Sequence, residues 1–341
     1  MSGTGDNRVR ISIAEAEALA RRVLTAAGAS EAMADVMARA LTRAEAEGLA
    51  GVGLKHLITY SDALAAGRID GHAEPDIERP TPVVFRVDAK GGVGHLGFDR
   101  AFPDLVEAAR TYGVAVFSQK NSYTNGALDW FVWRLAEAGL VAQAATNGGP
   151  ALLAASGATE RIFCTNPLSF AAPRAGEPPL VIDQSSSATA YVNLRIAAEK
   201  GDAIPEGWAL DGNGNPTTDP AEALKGVLLP FGGQRGANVA MMVEVLSAGL
   251  SGANWSLDAP SFIEGDKTPG IGLFVVAISP DRLAEGFSER LAAYLDRLND
   301  RYGVYVPGTG RSDAAASAES GGLELAADFW ETLLRRAGAP E

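Results

Sequence analysis

The segment Ile204–Pro220 reads IPEGWALDGNGNPTTDP, and its composition sets the fold expected around it. Within it, Gly212–Pro216 (GNGNP) predicts a turn, because Gly, Asn and Pro favour the backbone angles at which a chain reverses. Upstream, the apolar run Leu180–Ile182 predicts a strand. Downstream, Asn238–Leu250 predicts an apolar helix. The centre of the chain is therefore expected to be mixed α/β.

Further from this segment, the apolar pattern predicts more strands in the centre and helices at both ends. The expected strands are Val83–Val87, Val114–Phe117, Leu140–Thr146 and Leu273–Ile278, with a helix at 99–112. The expected terminal helices are two within Ser12–Ala46, one ending near Gly67, one at 281–298 and one at 323–336. Ser312–Gly322 is rich in Ala, Ser and Gly, which predicts a flexible linker.

Composition argues against several classes of function. The chain has 341 residues with 42 acidic and 29 basic side chains, a formal net charge of -13. That charge repels nucleic acid and anionic membrane surfaces. The single cysteine, Cys164, rules out an internal disulfide, and the start MSGTGDNRVR has no apolar leader. We expect a cytoplasmic protein that spans no membrane and, with three scattered histidines, holds no metal.

A glycine-rich string offers one route to a nucleotide-binding function. Gly92–Gly97 (GVGHLG) matches the G-x-G-x-x-G pattern of dinucleotide-binding loops. Such loops need an acidic residue at the end of the next strand to bind the ribose, but Gln119 and Lys120 stand there. The string is therefore interpreted as a structural turn. The G-x-S-x-G pattern of hydrolases is absent from the sequence.

Four polar clusters carry more information than the glycine string. They read NSYTNG at 121–126, CTNP at 164–167, DQSSS at 183–187 and GGQRG at 232–236. Small hydroxyl and amide side chains at strand ends bind ribose, phosphate or carboxamide groups, and they cap turns equally well. In the last cluster Arg235 precedes an apolar helix, a position that suits an anionic group.

In this order the clusters resemble the malate/L-lactate dehydrogenase-like (sulfolactate dehydrogenase-like) family of NAD(P)-dependent oxidoreductases. The motif DQSSSA is most similar to that of the family's Δ1-piperideine-2-carboxylate/Δ1-pyrroline-2-carboxylate reductase branch. Besides the opening segment, the resemblance rests on LAAGRIDG (64–71), GHLG (94–97), NSYTNGALDWF (121–131), TNPLSFAAP (165–173), IDQSSSA (182–188), LLPFGGQRG (228–236) and VPGTGR (306–311).

The resemblance implies an α/β (α+β) fold with a cofactor-binding domain that is not Rossmann-like. Residues 76–279 would form this central α/β domain, which binds the nicotinamide cofactor, either NADPH or NADH. Residues 1–75 and 280–341 would form a helical domain for dimerisation and substrate binding. The expected partners are a small-molecule substrate and a second copy in a homodimer, and the GVGHLG string becomes a turn within one domain.

Site residues follow from the same resemblance, position by position. His56 and Thr165 would bind the substrate. The cofactor would contact Thr124, Asn125, Gly126, Ala127, Leu128, Asp183, Gln184, Ser185, Gln234, Arg235 and Arg311.

The catalytic positions depart from the family pattern. Its proton-donating histidine and the serine and aspartate beside it correspond to Val52, Gly51 and Asn193. None of these three side chains can act as a general acid, because glycine and valine carry no proton and an amide does not titrate. Lys55, Tyr123 and Tyr191 are candidate replacements, although a structural or solvent-facing role is the favoured interpretation of each.

A reduced ketone needs a proton, whereas a cyclic iminium accepts hydride and becomes a neutral amine without one. The sequence thus favours an NAD(P)H-dependent imine reductase that catalyses a step of a specialised biosynthetic pathway. Two alternatives remain open. In the first, the family scaffold serves a non-redox step such as cyclisation or isomerisation. In the second, the chain is a non-catalytic paralogue that acts through its dimer surface.

Overall fold

A computed structural model describes residues 8–338. Residues 1–7, which include most of the polar start, and 339–341 lie outside the described part. The helices are α1 (Ile13–Ala26), α2 (Glu31–Ala46), α3 (His56–Ala65), α4 (Gly94–Tyr112), α5 (Asp129–Glu137), α6 (Tyr191–Lys200), α7 (Pro220–Lys225), α8 (Gln234–Glu244), α9 (Phe287–Tyr302), α10 (Thr309–Gly321) and α11 (Ala327–Arg336). A π-helical turn, Val245–Gly249, extends α8, and a 3-10 turn, Pro280–Arg282, precedes α9.

The strands are β1 (Arg8–Ile11), β2 (Asp76–Thr81), β3 (Val84–Asp88), β4 (Val114–Ser122), β5 (Val141–Thr146), β6 (Leu168–Arg174), β7 (Glu177–Gln184), β8 (Ala209–Leu210), β9 (Pro216–Thr217), β10 (Val227–Leu228), β11 (Ile271–Ile278) and β12 (Leu323–Ala326). Seven of them form the central sheet in the order β2-β3-β4-β11-β5-β6-β7. Only β3 and β4 are parallel neighbours; every other pair is antiparallel. The α/β fold is confirmed, and this sheet is not the parallel sheet of a Rossmann fold.

The core lies between this sheet and the helices α4 and α5. The ring of Phe98 on α4 meets Phe117 of β4 at 5.4 Å and Phe131 of α5 at 5.0 Å, both edge to face. All three rings are fully buried. Such packing holds α5 in place, and α5 begins directly after the NSYTNG cluster.

The first two helices form as the sequence predicts. Ser12 caps α1 in a reciprocal capping box with Glu15, and the hydroxyl of Ser30 accepts the amide of Met33 at the start of α2. The first strand, β1, pairs antiparallel with the last strand, β12. The last helix, α11, packs on α1. The two ends of the chain thus meet, while the domain boundaries at 75 and 280 stay a prediction.

Three sequence-based expectations are wrong in whole or in part. Ser312–Gly322 is no linker, since most of it lies in α10, where Ala and Glu favour helix. The first four residues of the expected helix 323–336 form β12, because they find an open partner in β1. The glycine string is a turn only at its start: Gly92 donates to the carbonyl of Ala89 at 2.8 Å in the turn after β3, whereas Gly94 and Gly97 lie in the first turns of α4. A Cβ at Gly97 would lie 1.9 Å from Gln119 Oε1, so glycine there permits the close approach of α4 to β4.

The turn expected at Gly212–Pro216 is confirmed as the link between β8 and β9. The carboxylate of Asp211 accepts the amides of Asn213 at 2.8 Å and Asn215 at 2.9 Å, which closes the turn. Within residues 8–338, no helix combines the length and apolar character that crossing a bilayer requires.

Candidate active site

Two neighbouring cavities surround the NSYTNG cluster. The larger, a cleft of about 220 Å³, is lined by Tyr123, Thr124, Asn125, Gly126, Thr146, Asn147, Gly148, Gly149, Cys164, Thr165, Pro167, Phe262, Pro269 and Ile271. The smaller, a cavity of about 10 Å³, is lined by Met37, Ala40, Leu41, Val52, Tyr60, His95, Gly126 and Ala127. Gly126 belongs to both linings, so the cavity lies directly behind one wall of the cleft.

Three of the four polar clusters meet beside the cleft. The amide of Ser186 donates to the carbonyl of Thr165 at 2.8 Å, and its hydroxyl donates to the carbonyl of Asn166 at 2.7 Å. The carbonyl of Ser186 accepts the amide of Phe231 at 3.1 Å. These bonds tie the DQSSS segment to the CTNP turn and to the loop that leads into α8. Gln184, Gln234 and Arg235 are exposed along these segments, while Ser185 is half-buried and bonded to Ser187.

The stretch from Thr124 to Leu128 divides into residues that face the cavities and residues that shape the loop. Thr124, Asn125, Gly126 and Ala127 line the cleft or the cavity. The Asn125 amide group donates to Thr146 Oγ1 at 2.7 Å and to the carbonyl of Gly272 at 3.1 Å, and is 2% exposed. Leu128, also 2% exposed, packs in the core. Their predicted contacts with a cofactor stay predictions.

The positions that the resemblance assigns to catalysis lie in the turn between α2 and α3. Val52 is 36% exposed and lines the small cavity. His56 begins α3, and its Nε2 donates to the carbonyl of Gly51 at 2.9 Å. Burial lowers the pKa of His56, which favours the neutral ring. A neutral imidazole holds a carboxylate by a hydrogen bond at most, without the charge that an arginine supplies.

Asn193 lies apart from Val52, on α6. It is exposed, its amide donates to Thr189 Oγ1 at 3.0 Å, and it lines neither cavity. Of the candidate replacement donors, Lys55 is exposed and Tyr191 packs against the buried cluster around Leu194. The hydroxyl of Tyr123 donates to the carbonyl of Phe262 at 2.5 Å. Only Tyr123 among the three therefore lines the cleft.

Arg311 lies in a buried cluster of charges rather than in the cleft. Its guanidinium pairs with Asp129 at 2.8 Å, while Arg43 reaches the same carboxylate at 3.8 Å and also pairs with Glu47. Burial raises the pKa of Glu47 to about 7. Burial and the nearby charge of Asp129 likewise raise the pKa of Asp183 to about 7, against the attraction of Arg311. The proposed cofactor role of Arg311 stays a prediction.

Sequence reasoning missed several residues that the structure places at the site. Tyr60 of α3 approaches Thr124, with 3.3 Å between their hydroxyl oxygens, and Asn147 lines the cleft. His95 lines the small cavity although it sits in a glycine-rich string that drew attention only to its glycines. Tyr60 and His95 occupy helix positions where the spacing predicts buried apolar residues. The only sequence signal for their role was therefore a polar group on a helix face expected to be buried.

The cleft contains groups that fit a nicotinamide ring and its carboxamide. The hydroxyls of Thr124 and Thr165 supply both donors and acceptors. The side-chain amide of Asn147 is already bonded, donating to the carbonyl of Asn254 at 2.8 Å and accepting the amide of Gly272 at 2.9 Å, so it shapes the wall. Next to them, Gly148 passes close to Cys164: a Cβ there would lie 2.7 Å from Sγ, so backbone forms this part of the wall. Within residues 8–338, no group of three or more His, Cys, Asp or Glu side chains could hold a metal ion.

Comparisons with known proteins agree with this fold. A family model described as malate/L-lactate dehydrogenase matches residues 11–334, and the chain belongs to that family. It is 39% identical over 302 residues to a (2R)-3-sulfolactate dehydrogenase (NADP(+)) of Chromohalobacter salexigens, covering 88% of this chain and 90% of that one. It is 36% identical over 334 residues to a Δ1-pyrroline-2-carboxylate reductase of Ancylobacter novellus, covering 96% and 97%.

A solved structure is also similar over nearly the whole length. The Δ1-piperideine-2-carboxylate reductase from Pseudomonas syringae superposes with a TM-score of 0.92 at 34% identity, covering 96% of this chain and 99% of that one. The predicted family resemblance is thereby confirmed.

Proposed function

We propose that this chain is an NADPH-dependent reductase of a cyclic imine that carries a carboxylate next to its C=N bond. The observation that carries the proposal is Val52, an aliphatic side chain at the position that the family resemblance assigns to the proton donor. Relatives named as pyrroline- and piperideine-2-carboxylate reductases support the C=N substrate. The sulfolactate dehydrogenase, whose name includes NADP(+), supports the phosphorylated cofactor.

An iminium substrate brings its own proton, so its reduction does not need a titrating side chain at position 52. A cyclic imine protonated in solution arrives as an iminium, and hydride addition to its carbon gives a neutral amine. A 2-keto acid instead becomes an alkoxide that needs a proton, and a missing general acid costs on the order of 10²–10⁴ in rate. Val52 leaves imine reduction nearly intact and penalises keto acid reduction.

In the cleft, Thr124 and Thr165 would hold and orient the nicotinamide, with Ser185 and Arg235 along the segments that continue toward the rest of the cofactor. The bound cofactor supplies a hydride. Thr165 also lines the cleft and would contact the substrate. His56 would hold the substrate carboxylate only after its N–H leaves the carbonyl of Gly51 or the ring gains a second proton. At Gly148 and Gly149 the cleft wall is formed by backbone, without side chains.

We further propose a homodimer that works in the cytoplasm in a biosynthetic pathway. Apolar side chains on and after α8 support the dimer: Met241, Met242, Val245, Leu250 and Trp255 are each 45% to 61% exposed. An exposed apolar group of this size on a protein marks an interaction surface. Light scattering on the purified protein tests it, since a monomer mass at micromolar concentration contradicts the dimer.

Initial rates with NADPH test the function. We expect kcat/KM for Δ1-pyrroline-2-carboxylate or Δ1-piperideine-2-carboxylate to exceed that for a 2-keto acid of the same length by about 10² or more. A Thr165→Val variant should lose imine reduction. A second variant, Gln184→Glu, tests whether a negative charge in the predicted cofactor-binding segment weakens NADPH binding. Equal rates on both substrates contradict an imine reductase. A protein that binds neither NADPH nor NADH contradicts any reductase function and supports a cofactor-free role.

A further inference from the structure

His95 is a buried imidazole whose Nδ1 has no hydrogen-bond partner. It is the second residue of α4, is 3% exposed, and packs against Phe131 and Trp130, with ring centroids 5.4 and 6.5 Å away. Its Nδ1 is fully shielded and makes no hydrogen bond within residues 8–338. Buried polar groups are nearly always hydrogen-bonded, so this ring marks a place where a further polar molecule binds.

The ring edge of His95 points toward the wall between the cavity and the cleft. A Cβ at Gly126 would lie 2.8 Å from Cε1 and 2.9 Å from Nε2, so only glycine allows the loop to approach the ring this closely. Gly126 has a φ of +59°, which also favours glycine. The imidazole therefore borders the small cavity directly behind the residue that both cavities share.

Across the same cavity, Tyr60 connects to the cleft. The oxygen of its hydroxyl lies 3.3 Å from Thr124 Oγ1, and Thr124 Oγ1 accepts the amide of Gly126 at 3.1 Å. Thr124 lines the cleft. The polar groups thus run from the cleft through Thr124 to Tyr60, and the cavity of about 10 Å³ separates Tyr60 from His95.

We propose that one water molecule occupies this cavity, bonded to both His95 and Tyr60, and that His95 thereby sets the orientation of the Thr124 hydroxyl in the cleft. The volume is about that needed by one water, and the imidazole and phenol supply two of the two to four partners that a buried water takes. The proposal makes His95 a positioning residue, and its effect on rate rests on the proposed reductase function.

The direction of each hydrogen bond follows from the chemistry of the ring. Burial and the positive charge of Arg134 lower the pKa of His95 to about 4, against the attraction of Asp99, so the ring is neutral at pH 7 and keeps one accepting nitrogen. The water donates one hydrogen to that nitrogen and the other to the Tyr60 oxygen. The Tyr60 hydroxyl then donates to Thr124, which leaves the Thr124 hydrogen free for an acceptor on the bound substrate or cofactor.

A high-resolution crystal structure of the unmodified protein tests the water without any assay of activity. We expect a single ordered peak within hydrogen-bond distance of a His95 ring nitrogen and of the Tyr60 oxygen. A cavity without that peak, or one filled by a neighbouring side chain, contradicts the proposal. This result stands whether or not the protein reduces imines, so failure of the proposed function is recognised separately, by absence of any NADPH-dependent turnover.

A double-variant cycle tests the positioning role. We expect His95→Phe and Tyr60→Phe each to lower kcat by about tenfold, the loss of one well-made hydrogen bond in the chain. The double variant should be no slower than the slower single variant, because both substitutions break the same chain. His95→Gln keeps an accepting atom and should stay within about threefold of the parent, and exposed His72→Gln should not change kcat.

Independent structural roles would give losses that multiply, so a double variant about 100-fold slower than the parent contradicts the proposal. A His95→Phe protein with unchanged kcat contradicts it too. Thermal unfolding of each variant confirms that it is folded before rates are compared. If His95→Phe fails to fold, His95→Leu takes its place in the cycle.

Discussion

At the scale of the residue, position 52 is where the family resemblance predicts a change of chemistry. The Val52 side chain lines the small cavity with Tyr60 and His95. We expect Val52→His to raise kcat/KM for a 2-keto acid by about tenfold or more, because an imidazole there supplies the missing proton. The gain should fall short of the full 10²–10⁴, since Gly51 and Asn193 still cannot orient the ring. Parallel rates on a cyclic imine should change by less than about threefold.

Val52→Leu is the matched control, because it also enlarges the side chain beside the small cavity but carries no proton. Any effect of the larger side chain on the cavity is shared by both variants, so Val52→His should exceed Val52→Leu in keto acid reduction. If Val52→His and Val52→Leu give the same rates on the keto acid, the missing imidazole is not what limits that reaction.

The raised pKa of Asp183 predicts how stability depends on pH. The pKa of its buried carboxyl is about 7 in the folded protein, well above its ordinary value of 3.8, so the folded state binds the proton more tightly. Stability from this group is complete below pH 4 and is lost as the pH rises to about 7. We expect Asp183→Asn to be more stable than the parent at pH 8, by up to about 4 kcal/mol, with the difference vanishing near pH 4.

Urea unfolding between pH 4 and pH 8 measures this difference. Asp281→Asn, a change of an exposed carboxylate, serves as the control and should give a difference that is small at every pH. A difference for Asp183→Asn that stays constant with pH would show that Asp183 ionises normally in the folded protein.

At the scale of the element, α10 is held to the body of the protein by one buried ion pair. Asp129 has 1% of its side chain exposed, and Arg311 of α10 is its partner at 2.8 Å. We expect Arg311→Met to lower the free energy of unfolding by about 3–5 kcal/mol, because a buried carboxylate loses its close cation. Chemical denaturation measures the loss, and Arg43 at 3.8 Å is too distant to replace the bond.

The double variant Arg311→Met with Asp129→Leu separates the ion pair from other effects of Arg311. It should recover most of the lost stability, since no buried charge is left unpaired. A fall in NADPH affinity that persists in the stabilised double variant would support the cofactor contact predicted for Arg311. An unchanged affinity would assign Arg311 to the ion pair alone.

The same helix shows where sequence reasoning reaches its limit. Strands such as β11 were predicted because apolar residues alternate or run together, and the helices within Ser12–Ala46 because their apolar residues recur at helical spacing. Ser312–Gly322 was predicted as a linker because its alanines and serines carry little apolar periodicity. The contacts that fix α10, with α2 and with β7, join residues far apart in sequence. The strand β12 was missed for the same reason, since its partner is β1.

The candidate site was predictable in part. The clusters around Thr124, Thr165 and Ser185 were chosen from residue type and resemblance, and the structure joins Thr165 to the DQSSS segment by hydrogen bonds. Arg311 and Asn193 were assigned to the site by position in the sequence, yet they line neither the cleft nor the small cavity. His95 was missed because burial and missing partners decide its importance, and neither is visible before the chain is folded.

At the scale of the whole molecule, the two chain ends depend on each other. A chain that stops at Gly322 lacks β12, which leaves β1 unpaired, and lacks the buried Leu333 of α11. It also loses Arg336, which donates to Ser61 Oγ on α3 at 2.6 Å. We expect the melting temperature to fall by about 10 °C or more, because several kcal/mol of packing is lost at once. Circular dichroism measures this.

A chain that stops at Gly338 is the matched control and should melt as the full chain does. If the chain ending at Gly322 melts at the same temperature as this control, then the pairing of the two ends contributes nothing to stability.

The pairing of β1 with β12 also has a consequence for how the protein is made. On the ribosome, α1 to α3 emerge long before β12 and α11 are synthesised. At about 5–20 residues per second, the first three helices wait roughly 15–50 s for them. During that interval the wall that carries His56 and Tyr60 exposes its apolar faces to chaperones and proteases, and it is covered only after β12 and α11 have emerged.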